Sequence, residues 1–217
     1  MTIRLKICGI TRLEDARYAA AAGADYLGFI QYRESPRYIE PARVREIVDW
    51  IYGPDPVGVF VDETAADVNR IADEAGFTLV QLHGDEPVFE VARIDRPVIK
   101  AIRVAPDTTT DALRRQLRAY ENVVDHFLLD THSAALRGGT GEAFDWEVAR
   151  GLSADYDLFL AGGVGADNVQ QGVRLLDPFG VDVSSSLEVE PGIKDFTKID
   201  TFMRAFDTLS STSRTNS

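Results

Sequence analysis

The only cysteine of the chain, Cys8, ends the short apolar run LKIC and is followed at once by Gly9. A thiol so placed can take a proton from carbon if its neighbours favour the thiolate, which makes Cys8 a candidate general base. A lone cysteine on an apolar strand also reads as a small buried hydrophobe. Asp130 ends a second apolar run, HFLLD, where a carboxyl group could donate a proton or could cap a turn. An acid and a base on opposite sides of one small molecule are what ring opening and proton transfer in a sugar require.

Other residues offer binding rather than proton transfer. Arg37, behind the stiff Pro36 in SPRY, could grip both oxygens of a carboxylate, or it could sit in a surface ion pair. His83 in QLHGDE is a candidate hydrogen-bond donor. Gly162 and Gly163 in AGGVG, with Ser184, Ser185 and Ser186 in DVSSSLEVEPG, offer backbone N–H groups and hydroxyls to an anion. His126 and His132 have no metal-ligand spacing with His83, and no Cys or carboxylate cluster completes a site. No metal and no cofactor are expected.

These residues stand at the ends of regularly spaced elements. Candidate strands are Leu5–Cys8, Tyr26–Ile30, Val57–Val61, Leu79–Leu82, Val98–Arg103, His126–Asp130, Asp157–Ala161 and Val181–Ser184. Helical patterns fill the intervals at about 12–22, 41–52, 65–75, 87–94, 109–120, 145–152, 167–176 and 195–209. Thr11 with Glu14, and Thr64 with Asp67, have the spacing of helix N-terminal caps. Pro41 suits a first helical turn, and Gly23 and Gly76 suit left-handed helix ends. Strict alternation predicts an α/β fold, a single (β/α)8 TIM barrel over residues 1–209. A polar tail, expected to fray, follows at 210–217. In such a barrel chemistry sits where strands end, and phosphate commonly binds after the seventh and eighth strands. An open doubly wound sheet would more often carry a GxGxxG turn after its first strand, and KICGIT has none.

Composition narrows the partners. The 217 residues carry a formal net charge of −12, which disfavours nucleic acid and anionic membrane. Lys6, Lys100, Lys194 and Lys198 are the only lysines, so arginine carries most of the positive charge. No apolar run approaches the roughly 20 residues that span a bilayer. One cysteine allows no internal disulfide, and the chain reads as cytoplasmic. Monomer and homodimer remain open.

The ordered motifs KICGIT, GFIxYxxSPRYI, VGVFV, QLHGDE, LLDT with GGTGEAFDW, and AGGV with VDVSSSLEVEPGIKD resemble the N-(5′-phosphoribosyl)anthranilate isomerase family of tryptophan biosynthesis. The resemblance runs from about residue 4 to residue 208. It implies a cofactor-free Amadori rearrangement of the aminoaldose phosphoribosylanthranilate to 1-(2-carboxyphenylamino)-1-deoxyribulose 5-phosphate. It implies that Asp130 is the general acid, Cys8 the general base, and Arg37 the holder of the anthranilate carboxylate. Asp182 is implied to orient sugar hydroxyls and the base. The loop from Thr131 to Gly141, with Gly139 and Gly141, is implied to close over the substrate.

One position departs from the family pattern: Ser186 stands where SSG usually has glycine. If that glycine serves positive φ or close approach to phosphate, Ser186→Gly leaves KM unchanged or lowers it. A histidine-pathway isomerase is the nearest rival, but such enzymes have aspartate where this chain has Cys8. A non-catalytic phosphosugar-binding barrel is the other, and it would have no need of an acid and a base.

Overall fold

The structure is a computed structural model in which residues 3–131 and 145–212 are described. Eight parallel strands close into a barrel in sequence order: β1 (Arg4–Cys8), β2 (Tyr26–Ile30), β3 (Asp55–Phe60), β4 (Leu79–Leu82), β5 (Val98–Val104), β6 (His126–Thr131), β7 (Leu158–Leu160) and β8 (Gly180–Val183). The outer layer holds α1 (Leu13–Ala21), α2 (Pro41–Val48), α3 (Ala65–Ala75), α4 (Val88–Val91), α5 (Thr110–Tyr120), α6 (Val169–Leu176) and α7 (Phe196–Thr212). A short antiparallel pair, β9 (Glu188–Glu190) and β10 (Ile193–Lys194), follows β8. Each expected strand is present within a few residues of its expected bounds.

Two apolar layers hold the barrel. Leu5, Ile7, Leu27, Phe29, Phe60, Val80, Leu82 and others pack outward against the helices. Val57, Leu79, Ile99, Ala101, Leu128, Phe159 and Ala161 fill the interior. These two sets alternate along the strands, as the period of two requires. Parallel strands covered on both faces therefore read as continuous apolar runs, and any polar residue among them stands out.

Local signals explain most helix ends. Thr64 accepts from Asp67 N at 3.2 Å, and Gly76 ends α3 at φ 79°. Pro41 opens α2. Thr11 does not cap α1; its hydroxyl donates to Gly192 O, and Arg12 takes the cap position without a side-chain bond. The helix expected at 145–152 is replaced by two 3-10 turns, Trp146–Ala149 and Leu152–Ala154. Gly151, in the left-handed region at φ 77°, divides them. The short turns bury Trp146 against the α6 residue Gly172, whose missing Cβ would meet the indole at 2.8 Å. At the other end α7 runs on to Thr212, into the segment expected as tail. Among the described residues no helix is long and apolar enough to cross a membrane.

Candidate active site

The C-terminal ends of the strands surround a cleft of about 870 Å3, counted to include its open mouth. Cys8, Arg37, His83, Asp130, Gly162, Gly163, Asp182, Ser184, Ser185 and Ser186 all line it. The residues picked out along some 180 positions of sequence are thus brought to one rim. Gly139 and Gly141, and the proposed closing loop beyond Thr131, lie outside the described residues.

Cys8 ends β1 on its inner face and is 6% exposed. Its neighbour across the β1–β2 register is Gly28. A Cβ at Gly28 would stand 2.6 Å from the Cys8 sulfur, so only glycine leaves room for the thiol. Burial pushes the Cys8 thiol above its ordinary value, and the Lys6 ammonium is the largest opposing influence. The sequence had raised the possibility that neighbours lower this thiol. Here the pull of Lys6 and Lys194 is outweighed by desolvation together with the Asp182 carboxylate.

Asp130, 7% exposed, ends β6 across the rim. Its Oδ1 accepts from Thr131 N at 2.8 Å, and its Oδ2 lies 3.1 Å from His83 Nε2. Gln81, two residues before His83 and on the same face of β4, places Nε2 2.9 Å from His83 Nδ1. The Gln81 amide and the Asp130 carboxyl thus hold the imidazole between them, one at each ring nitrogen. Gly162, at φ 71°, brings the end of β7 against this group; a Cβ there would be 2.9 Å from Asp130 Oδ1.

Arg37 is held rather than free. Its Nε and Nη2 donate to both oxygens of Glu188 at 2.7 to 3.0 Å. Lys194 Nζ donates to Glu188 Oε1 at 2.9 Å and also to Cys8 O at 2.6 Å. One carboxylate thus serves two cations. Burial works against the Glu188 carboxylate, but Arg37 and Lys194 overcome it and hold the group below its ordinary value. Lys194 loses the same contest: its own burial, with repulsion from Arg37, moves it down despite Glu188. The ion-pair reading of Arg37 holds, and among the described residues its Nη1 makes no hydrogen bond to protein.

The β7 and β8 exits carry the glycines and serines expected to meet an anion. Gly162 and Gly163 both adopt positive φ, at 71° and 73°. Ser185–Leu187 is a 3-10 turn, with Ser184 before it. Among the described residues, the N–H groups of Gly163, Ser185 and Ser186 donate to no protein acceptor. Ser186 is not among the positive-φ residues, and its hydroxyl donates to Val164 O at 2.7 Å. The serine thus ties the two anion loops together without strain. This reverses the expectation for Ser186→Gly. Loss of one neutral hydrogen bond worth about 1 kcal/mol should raise KM about fivefold with kcat little changed. An unaltered KM in steady-state assays would show that the tie does not order the loops.

Sequence reasoning missed Lys6, Gln81, Glu188 and Lys194. Lys6 Nζ donates to Asp182 Oδ1 at 2.9 Å, as their paired positions on β1 and β8 allow. A signal existed for Lys6 and Gln81, since each stands two residues before a candidate on one strand face. Among the described residues no group of three or more His, Cys, Asp or Glu is placed to hold a metal ion.

Residues 5–205 match the family model described as N-(5′phosphoribosyl)anthranilate (PRA) isomerase. The chain belongs to this family. A curated relative from Pelobacter propionicus, named N-(5′-phosphoribosyl)anthranilate isomerase, is 43% identical over 206 residues, covering 93% of this chain and 94% of the relative. The crystal structure of phosphoribosyl anthranilate isomerase from Thermotoga maritima superposes with a TM-score of 0.86 at 36% identity, covering 95% of this chain and 99% of that one. Another family structure, in complex with reduced 1-(o-carboxyphenylamino)-1-deoxyribulose 5-phosphate, gives a TM-score of 0.82 at 36% identity, covering 95% and 99%. Membership in the family sets aside the histidine-pathway alternative.

Proposed function

We propose that this cleft isomerises N-(5′-phosphoribosyl)anthranilate to 1-(2-carboxyphenylamino)-1-deoxyribulose 5-phosphate, with Asp130 as acid and Cys8 as base. The activity is that of the family, an intramolecular aldose–ketose isomerase of tryptophan biosynthesis. The residue roles rest on one observation above the others: Cys8 and Asp130 face a single cleft from strands three places apart around the rim.

Each part of the substrate has a chemical counterpart. The phosphate fits the N–H groups of Gly163, Ser185 and Ser186, where a local cradle offsets the acidic field of the whole chain. The anthranilate carboxylate fits Arg37, whose guanidinium is already oriented by Glu188. A relative binds a reduced form of the product, which carries both anions on one molecule.

The reaction follows from these positions. Asp130 gives its proton to the furanose ring oxygen as the C1′–O bond breaks, leaving a Schiff base at C1′. His83 and Thr131 N donate to the carboxylate so formed. The Cys8 thiolate removes the C2′ proton, and its electron pair moves through C1′ to neutralise the iminium nitrogen as an enolamine. Tautomerisation to the ketone restores a proton to C1′, so the rearrangement gains and loses none overall.

Cys8→Ser supplies the direct test. A hydroxyl is a far weaker acid than a thiol, so almost no alkoxide is available to act as base. Consumption of phosphoribosylanthranilate, followed by its fluorescence, should slow by at least about a hundredfold while KM changes little. Turnover within a few-fold of wild type would remove Cys8 from the mechanism.

A further inference from the structure

Lys6 stands two residues before Cys8 on β1, so both side chains leave the strand toward the barrel interior. Its side chain is 0% exposed. Its Nζ donates to Asp182 Oδ1 at 2.9 Å, and it shares with the Cys8 sulfur the space facing Gly28. A buried ammonium is costly, and an apolar residue of similar size would satisfy the core at least as well. The space it shares with the sulfur is kept open from β2: a Cβ on Gly28 would be 2.6 Å from Cys8 Sγ and 3.1 Å from Lys6 Nζ.

The charges around the sulfur come from several elements. Lys6 lies on β1, Asp182 on β8, Lys194 on β10, and Arg37 in the loop between β2 and α2. Glu188 on β9 holds the last two. Tyr32, His83 and Asp130 are the other titratable groups lining the cleft. Lys6, Lys194 and Arg37 thus face Asp182 and Glu188 around the sulfur, with Asp130 elsewhere on the same cleft.

We infer that Lys6 is a positioning residue for the isomerisation: its ammonium, anchored by Asp182 beneath the Cys8 sulfur, stabilises the thiolate that takes the C2′ proton. The inference rests on Cys8 being the base. Lys6 is the strongest influence opposing the upward push of burial on this thiol, and Asp182 adds to that push. The two members of one ion pair therefore act on the sulfur with opposite sign.

That opposition separates an electrostatic role from a structural one. Because the chain has a single cysteine, the rate of iodoacetamide uptake, followed by mass, reports Cys8 alone. In Lys6→Met the rising limb of alkylation against pH should move up by about one unit, a tenfold loss of thiolate at fixed pH. The rising limb of kcat/KM should move with it. In Asp182→Asn, which breaks the same ion pair, the alkylation limb should move down. Lys6→Arg keeps the charge and should hold the limb near wild type; with Asp182→Asn it carries the test if Lys6→Met fails to fold by circular dichroism. A limb that moves the same way in the Lys6 and Asp182 variants, or in neither, overturns the inference. Full turnover by Cys8→Ser overturns instead the reading of Cys8 as base, while the alkylation limbs, which need no turnover, still report on Lys6.

Discussion

Asp130→Asn is expected to lower kcat/KM about a hundred- to ten-thousand-fold while leaving the barrel folded. Asparagine keeps the size of the side chain and an oxygen that can accept from Thr131 N, as Asp130 does at 2.8 Å. What it lacks is a proton to give to the ring oxygen. Ring opening would then depend on water, which the buried position of Asp130 largely keeps away. The loss should fall on kcat rather than KM, since an interaction needed only in the transition state is removed. Steady-state fluorescence assays of wild type and variant decide the matter. A variant within tenfold of wild type would show that the acid is another group.

The largest effect on stability is expected at Glu188. Its carboxylate, with a side chain 4% exposed, carries Arg37 and Lys194 together. Glu188→Gln leaves the buried Lys194 and the half-buried Arg37 facing a neutral amide, and breaking a buried pair this way costs about 3–5 kcal/mol. For a chain of this size each 1 kcal/mol moves Tm by about 2–4 °C, so Tm should fall by about 6–20 °C. The pH dependence has a definite sign. Glu188 is held below its ordinary value of 4.5 in the fold, so its contribution is present above that pH and drains away as pH falls through the lowered value. Wild type and Glu188→Gln should therefore differ by a constant amount above about pH 5 and converge as pH falls below it. A difference in thermal melts that persists unchanged into acid would show that the carboxylate charge does not hold the pair.

The barrel was legible because its rules act locally. Eight apolar runs, spaced by amphipathic intervals with recognisable caps at Thr64, Pro41 and Gly76, leave few architectures open. The lining of the cleft was legible where residues sit at strand ends, as Cys8, His83 and Asp130 do, whereas Asp182 was implied by the family resemblance alone. Lys6 and Gln81 were within reach, since period-two alternation puts them beneath Cys8 and His83. Three of the four lysines, Lys6, Lys100 and Lys194, turn out to be buried, so lysine scarcity in this arginine-rich chain was itself a signal. Glu188 and Lys194 were not legible. Their meeting depends on the β9–β10 register and on how that hairpin folds back under Cys8, which no local pattern encodes. The same limit applies to Ser186, whose partner Val164 belongs to another loop. Thr11 misled for this reason too: its cap spacing is intact, but Gly192 reaches its hydroxyl first.

Ser186 and Glu188 are two residues apart, one on the turn proposed to hold the phosphate and the other gripping Arg37. Lys194 then pins Glu188 to the backbone of Cys8. The two anion-reading ends of the cleft are thus bolted to one short piece of chain and to the reacting strand. They form a fixed-length gauge, against which a molecule is measured by the span between its two negative groups. A compound with the right headgroups on a longer or shorter spacer could satisfy one end only, however well each headgroup fits alone. Discrimination among phosphorylated sugars would then rest less on the shape of the ring than on the distance from phosphate to carboxylate.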